Sequence, residues 1–157
     1  AANLDMSGVT VLNDELGCPH LYQDGRALPG FVSISHSDRL AAALVSPPAI
    51  RTGIDLMPAD TRLPHGLDHL LTAHELSLFP GNRHLEAGLS AREAVAKYTG
   101  QGFTVPFDTY EIAAVTGDAD RLVVAFRRFP EVEAVVHRLG DHWLSLATLR
   151  AAYPFIH

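Results

Sequence analysis

Three side chains that could assist phosphate chemistry stand out by their positions in the sequence. Asp55 lies inside the apolar segment Gly53-Ile54-Asp55-Leu56, which predicts a strand. Glu93 and Lys97 are spaced i, i+4 in a segment that predicts a helix, so they share one face of it. Carboxylate oxygens suit Mg²⁺, and an ammonium group can neutralise a phosphate or donate a proton. Each feature also has a plainer explanation: a strand-end aspartate pointing to solvent, and an exposed ion pair on a helix.

Two further features add weight to a chemical role. Lys97 is the only lysine among the 12 basic residues, and all the others are arginine. Lysine offers a compact, mobile ammonium in place of a planar guanidinium, so its retention at this one position favours a chemical role. Ser35-His36-Ser37 comes at the end of a predicted strand, and a histidine flanked by hydroxyls can contact a phosphate. A hydrogen-bonded turn histidine would give the same pattern.

The elements that must position these residues are short strands around two helices. Strands are predicted at 9–12, 31–35, 52–56, 110–116, 121–126 and 143–149, whereas the apolar run 40–45 is too short to assign by its period. Thr72 and Glu75 fit a capping box that begins one helix, which Pro80-Gly81 would end. A second helix is predicted from about Leu85 to Thr99, followed by Gly100 in the left-handed conformation. Because strands and helices do not alternate regularly, the pattern predicts an α+β fold.

Composition limits the classes of protein to which the chain can belong. Its 157 residues are 47% hydrophobic with a formal net charge of −6, which predicts one domain over 1–157 and no nucleic-acid partner. No stretch approaches the roughly 18 to 20 apolar residues that span a bilayer, and no signal-peptide pattern is present, so no membrane partner is expected. The single cysteine, Cys18, excludes an internal disulfide. A cytoplasmic location is therefore expected.

The order and spacing of these segments resemble the 4'-phosphopantetheinyl transferase superfamily over about residues 8–150. The family's signature is a Gly-(Ile/Val)-Asp strand followed by a (Lys/Arg)-Glu-x-x-x-Lys helix that ends in Gly-x-Gly. Here these motifs are Gly53-Ile54-Asp55, Arg92-Glu93-Ala94-Val95-Ala96-Lys97 and Gly100-Gln101-Gly102. The closing Trp143-Leu144-Ser145-Leu146-Ala147 is similar to the family's last strand. The resemblance implies that family's fold, a small antiparallel sheet packed on a few helices.

The resemblance also implies an activity. Such an enzyme transfers the 4'-phosphopantetheine group of coenzyme A to a serine of an apo acyl or peptidyl carrier protein, as in fatty-acid or polyketide synthesis, and releases adenosine 3',5'-bisphosphate. Asp55 and Glu93 would hold Mg²⁺ against the pyrophosphate, and Glu93 would take the proton from the carrier serine, directly or through a water. Lys97 would neutralise the transferring phosphate or protonate the leaving group.

Cofactor contacts follow from the same resemblance. Ser35 and His36 would contact the 3'-phosphate of coenzyme A, and Arg92 would contact a pyrophosphate oxygen. With Lys97 they would form the coenzyme A site. A metal and cations suit this chemistry, because phosphoryl transfer needs positioning and charge neutralisation more than covalent help.

Three positions depart from the family's pattern. Met57 stands where the long branch of the family has a third acidic ligand, although the small trimeric branch has a non-acidic residue there and completes the magnesium shell with water. Cys18 replaces a basic residue in the turn Gly17-Cys18-Pro19, which removes one expected phosphate contact. Leu89 replaces the usual tryptophan, a change expected to affect packing only.

The segment that precedes Gly53 is short for the long branch. We therefore expect a partial first lobe at about 8–50 and a complete second lobe at about 51–150, in a domain cut from a larger synthase such as a polyketide synthase. Small family members are trimers and long ones pack two lobes in one chain, so the sequence leaves the oligomeric state open.

One alternative function is a catalytically weak or inactive relative that serves as a carrier-protein docking or structural domain of a synthase. Met57 and Cys18 favour it. The intact Asp55, Glu93 and Lys97 oppose it, because a structural role would not require these three residues to stay in register.

A second alternative is a zinc protein. His65, His69 and His74 lie close together, and the first two have helical i, i+4 spacing. The chain lacks a His-Glu-x-x-His motif, and ordinary surface histidines would explain the same cluster.

Overall fold

The computed structural model describes residues 7–15, 17–59, 70–79, 84–102 and 104–150, which form ten strands and two helices. The strands are β1 (Val9–Asn13), β2 (Pro19–Gln23), β3 (Arg26–Ala27), β4 (Phe31–His36), β5 (Ala41–Ser46), β6 (Gly53–Pro58), β7 (Ile112–Gly117), β8 (Arg121–Phe126), β9 (Val132–Leu139) and β10 (His142–Leu149). The helices are α1 (Ala73–Ser77) and α2 (Leu85–Thr99), and one 3₁₀ turn covers Phe107–Tyr110. The mixture confirms the predicted α+β class.

The largest sheet has five antiparallel strands in the order β6-β10-β9-β8-β7. Helix α2 packs across this sheet, mainly against β6, β10 and β9. Large buried side chains from both layers fill the space between them, among them Leu89, Val95, Val124, Val136 and Trp143. The core therefore lies between α2 and the sheet, and both motifs singled out in the sequence border it.

Gly53 sets the close approach of α2 to β6. A Cβ at this position would overlap the backbone of α2 at Ala94 and Tyr98. Only glycine lets the helix cross the start of the strand at this distance. The glycine of the Gly-Ile-Asp motif is therefore a packing requirement that brings α2 next to Asp55.

The remaining strands form two smaller sheets, β1-β2-β3 and the hairpin β4-β5. Strand β4 lies beside β6 and touches it through serine side chains. The backbone N–H groups of Ile54 and Leu56 donate to the hydroxyls of Ser33 and Ser35, at 2.9 and 3.1 Å. The polar positions in the alternating pattern of β4 thus satisfy these two backbone donors on the outer edge of β6.

Local signals in the sequence predicted the helices well. Thr72 and Glu75 form the expected capping box of α1, and α2 runs from Leu85 to Thr99 with Gly100 in the left-handed conformation, as predicted. The predicted stop at Pro80-Gly81 lies outside the described residues. In the described ranges, no helix has the length and apolar character that crossing a membrane requires.

Candidate active site

A cleft of about 850 Å³ opens where the end of β4, strand β6 and helix α2 meet. Five of the six candidate site residues line it: Ser35, His36, Asp55, Glu93 and Lys97. They come from three elements that are distant in sequence but adjacent in space. The motifs that are separated in the sequence therefore line one common surface in the fold.

Asp55 is the centre of a buried hydrogen-bond network. Its Oδ1 accepts hydrogen bonds from Ser35 Oγ at 2.9 Å and from Lys97 Nζ at 2.8 Å, and its Oδ2 accepts one from Ser90 Oγ at 2.9 Å. Ser145 Oγ supports Ser90 with a further bond of 2.8 Å. Asp55 is only 6% exposed, so the solvent-facing aspartate considered from the sequence is wrong. The carboxylate is held in a fixed orientation at the floor of the cleft.

Glu93 is half-buried in the cleft and has no hydrogen bond or ion pair to the part of the chain that the structure describes. Burial and, to a smaller extent, the Asp55 carboxylate raise the pKa of Glu93 to about 7, against the opposing effect of Lys97. A carboxyl with a pKa near neutrality can take up and release a proton at neutral pH, which is the property of a general base. Glu93 and Lys97 do not form the surface ion pair considered from the sequence, because Lys97 pairs with Asp55.

Ser35 and His36 have different surroundings. The Ser35 hydroxyl accepts from the backbone of Leu56 and gives its only proton to Asp55, so in this structure it holds the carboxylate instead of offering a donor to a phosphate. His36 is exposed at the rim of the cleft, where its ring can reach a bound anion. The structure thus leaves His36 as the candidate phosphate contact of the pair.

Arg92 does not line the cleft. Successive helical residues are rotated by about 100°, and Arg92 points into the protein on the side of α2 away from Glu93 and Lys97. It is 1% exposed, pairs with Glu75 at 3.1 Å and donates to the carbonyl groups of Leu70 and Phe107. The expected contact of Arg92 with a pyrophosphate oxygen is therefore corrected: both of its terminal nitrogens are bonded inside the fold, and its Nε is buried without a hydrogen-bond partner among the described residues.

Glu75 is the partner that fixes Arg92. It is 0% exposed, and its Oε2 accepts the Thr72 backbone N–H of the capping box at 2.8 Å. Its Oε1 accepts the backbone N–H of Ile112 at 2.8 Å as well as Arg92. One carboxylate thus ties α1 to α2 and to β7, so this pair stabilises the frame that carries the cleft.

Arg92→Leu should lower the free energy of unfolding by about 3–5 kcal/mol, because it leaves the Glu75 charge buried without its partner. Urea denaturation measures the change. Arg127→Leu is the matched control, since the ion pair of Arg127 with Glu111 is more exposed and should contribute about 1 kcal/mol or less. Equal, small losses in both variants would contradict the role assigned to the buried pair.

The far end of the cleft is closed by a network that the sequence did not reveal. His142 is 1% exposed, with Nδ1 at 2.7 Å from Asp141 Oδ1 and Nε2 at 3.0 Å from Ser37 Oγ. Arg39 pairs with the other Asp141 oxygen at 2.5 Å. The hydrogen bond from His142 lowers the pKa of Asp141, and the charge of Arg39 adds to this effect.

This network has the composition of a serine–histidine–aspartate triad, but Ser37 is poorly placed to act as a nucleophile. Its oxygen already accepts the backbone N–H groups of Arg39 at 3.3 Å and Leu40 at 3.1 Å. With both lone pairs engaged, the hydroxyl ties the β4–β5 turn to the β9–β10 turn. The network therefore shapes the cleft wall next to His36.

A second cavity of about 400 Å³ adjoins the first, and Ile34 and Lys97 line both. Cys18 and Arg51 also line it. The Cys18 thiol donates to the carbonyl of Gly100 at 3.2 Å, which ties its turn to the end of α2. Cys18 therefore supplies no positive charge to this cavity, in agreement with the sequence analysis. Arg51 supplies a cation to the same cavity instead.

The zinc alternative has no support from the described residues. His74 is exposed and its ring nitrogen lies 3.3 Å from the carbonyl of Ala113, whereas His65 and His69 lie outside the described ranges. Among the residues that are described, no group of three or more His, Cys, Asp or Glu side chains could hold a metal ion.

Comparison with known proteins identifies no family. No protein-family model matches the sequence, and no curated protein is significantly similar to it. The interpretation of the cleft therefore depends on its own chemistry and on the order of its motifs.

Proposed function

We propose that this chain is a metal-dependent phosphoryl-transfer enzyme. The observation that carries the proposal is the convergence of Asp55, Glu93 and Lys97, two carboxylates and one ammonium, in one cleft. Phosphoryl transfer needs charge neutralisation and alignment, and these groups supply both.

The donor set fits Mg²⁺. This ion commonly keeps several waters and binds through one or two carboxylates together with substrate phosphates, so the pair Asp55 and Glu93 is sufficient. Bound there, Mg²⁺ would neutralise charge on the pyrophosphate of the donor. Met57 lines the same cleft two residues after Asp55, and it adds no oxygen ligand.

Within that class we propose a 4'-phosphopantetheinyl transferase with coenzyme A as donor and the serine of an apo acyl or peptidyl carrier protein as acceptor. The Gly-Ile-Asp strand and the Arg-Glu-x-x-x-Lys helix that resemble this family bring Asp55, Glu93 and Lys97 together in the cleft. The antiparallel sheet packed on α2 is compatible with that family's fold.

The residues then take distinct parts in the transfer. Ionised Glu93 accepts the proton of the carrier serine, whose oxygen forms a bond to the β-phosphorus of coenzyme A. The bond from that phosphorus to the bridging oxygen breaks, and adenosine 3',5'-bisphosphate leaves. Lys97 neutralises the charge that develops or protonates the leaving oxygen. His36 at the rim would contact the 3'-phosphate, while Ser35 and Ser90 hold Asp55.

A docking or structural domain of a synthase is the competing function, and Met57 in the cleft is the observation that favours it. Incubation with coenzyme A, Mg²⁺ and an apo carrier protein, followed by mass spectrometry of the carrier, separates the two. A transferase adds one phosphopantetheine group. A docking domain binds the carrier and leaves its mass unchanged.

Met57→Glu should tighten the binding of Mg²⁺ by about tenfold. The new carboxylate would lie on the same face of β6 as Asp55, and it would add charge and an oxygen ligand to those of Asp55 and Glu93. Competition with Mn²⁺, followed by electron paramagnetic resonance, measures the affinity. Met57→Gln is the control of similar size without charge. Weaker binding in Met57→Glu would mean that the side chain at this position faces the core instead of the ion.

A further inference from the structure

Asp55 already has a cation at one of its two carboxylate oxygens. Lys97 Nζ lies 2.8 Å from Oδ1, and this is the only ion pair of Asp55 within the described residues. The other two groups bonded to the carboxylate are the neutral hydroxyls of Ser35 and Ser90. The hydroxyls can stay when a metal arrives, but an ammonium bound to the same carboxylate would repel a divalent cation strongly in a buried site.

The Lys97 side chain also has room to move away from Asp55. Its side chain is 30% exposed and lines both cavities, so open space is available to its ammonium away from Asp55. The flexible four-carbon stem of lysine permits such a movement, whereas the planar fork of arginine would hold both carboxylate oxygens.

We propose that Lys97 is a tethered counter-cation, which competes with the metal for Asp55 and leaves the carboxylate when a phosphate group of the donor binds. This inference rests on the proposed function, because it assumes that Asp55 is a metal ligand. The metal alone then binds weakly, since it must displace Lys97. A phosphate that attracts Lys97 frees Asp55, so donor and metal each strengthen the binding of the other by the same factor.

The test uses Mn²⁺ alone and no substrate. Lys97→Met should bind Mn²⁺ about tenfold more tightly than the wild type, although the protein has lost a residue of the proposed active site. Lys97→Arg should bind no more tightly than the wild type. Arg121→Met is the matched control, because it removes one positive charge on β8, separated from β6 by two strands, and should leave the affinity unchanged. Measurement at pH 8.5 without oxygen keeps Glu93 ionised.

The wild-type protein allows a direct observation as well. Lys97 is the only lysine, so protein labelled with ¹⁵N-lysine has a single side-chain Nζ resonance. We expect Mg²⁺ to shift this resonance as it displaces Lys97, and Asp55→Asn to shift it without any metal.

The outcomes separate this inference from the function on which it rests. Tighter binding in Lys97→Met together with a shifted Nζ resonance supports the competition. Equal or weaker Mn²⁺ binding in Lys97→Met, with binding still lost in Asp55→Asn, overturns the competition and leaves the metal site intact. Absence of Mn²⁺ binding in the wild type and in Lys97→Met overturns both.

Discussion

Glu93→Gln should lower kcat by about a hundred- to ten-thousandfold, the range that a positioned general base contributes. The substitution keeps the shape of the side chain and removes its charge and its capacity to accept a proton. Asp55→Asn should reduce turnover at least as much, because it removes a hard anionic oxygen from a hydrated cation. Initial rates of carrier modification measure both effects, and circular dichroism checks that the fold is retained.

The dependence of the rate on pH should show that Glu93 is the general base. The base acts only when it is ionised, so the wild-type rate should rise with pH and level off above the pKa of Glu93, which is about 7 in the metal-free protein and lower when Mg²⁺ is bound. This rise should be absent in Glu93→Gln. Glu86→Gln, on the first turn of the same helix and outside the cleft, is the control that should keep both rate and profile. Wild-type rates in Glu93→Gln would end the assignment.

Lys97→Ala should lower kcat by about a hundredfold or more while changing the affinity for coenzyme A only modestly. A point cation next to the transferred phosphate matters most where charge develops, in the transition state. Lys97→Arg should rescue poorly, because a guanidinium does not readily release a proton and needs more room. Separate measurement of kcat and the dissociation constant of coenzyme A distinguishes the two effects.

The result that would change this account is a Lys97→Arg variant as active as the wild type. Charge alone would then suffice, and proton donation to the leaving group would have to be dropped. Removal of Lys97 is expected to lower turnover and to raise metal affinity. A residue that only stabilised the fold would not produce these opposite effects.

Elements with strong local signals could be predicted from the sequence. The capping box of Thr72 and Glu75 and the left-handed Gly100 depend on neighbouring residues, so the start of α1 and the end of α2 were correct. The apolar face of α2 gave its start at Leu85. Strand β9 was missed because its centre, Val135 and Val136, is buried on both faces and does not alternate. Strand β3 has two residues and is defined only by its pairing with β2, which no local pattern reports.

The site was predictable as a set of residues but not in its connections. Asp55, Glu93 and Lys97 do line one cleft, yet the only pairing that the sequence offered for Lys97, as the plainer explanation of its spacing, was with Glu93, whereas Lys97 pairs with Asp55. The partner is decided by how α2 crosses β6, a tertiary feature.

The same limit explains why the burial of Arg92 and the bond between Ser37 and His142 could not be predicted from the sequence. An arginine in an amphipathic helix is ordinarily a surface residue, and its burial against Glu75 depends on which face of α2 meets α1. The hydrogen bond between Ser37 and His142 joins residues 105 positions apart, so no spacing pattern in the sequence predicts it.

The most direct measurement is the yield of both products in one reaction. Wild-type protein is incubated with coenzyme A, Mg²⁺ and several apo carrier proteins, and holo carrier and adenosine 3',5'-bisphosphate are quantified together. We predict equal molar amounts of the two, with neither formed in Asp55→Asn, with a carrier that lacks the acceptor serine, or after removal of Mg²⁺ by a chelator. Demonstrated binding of coenzyme A with no holo carrier from any of the carriers tested would contradict the proposed transfer.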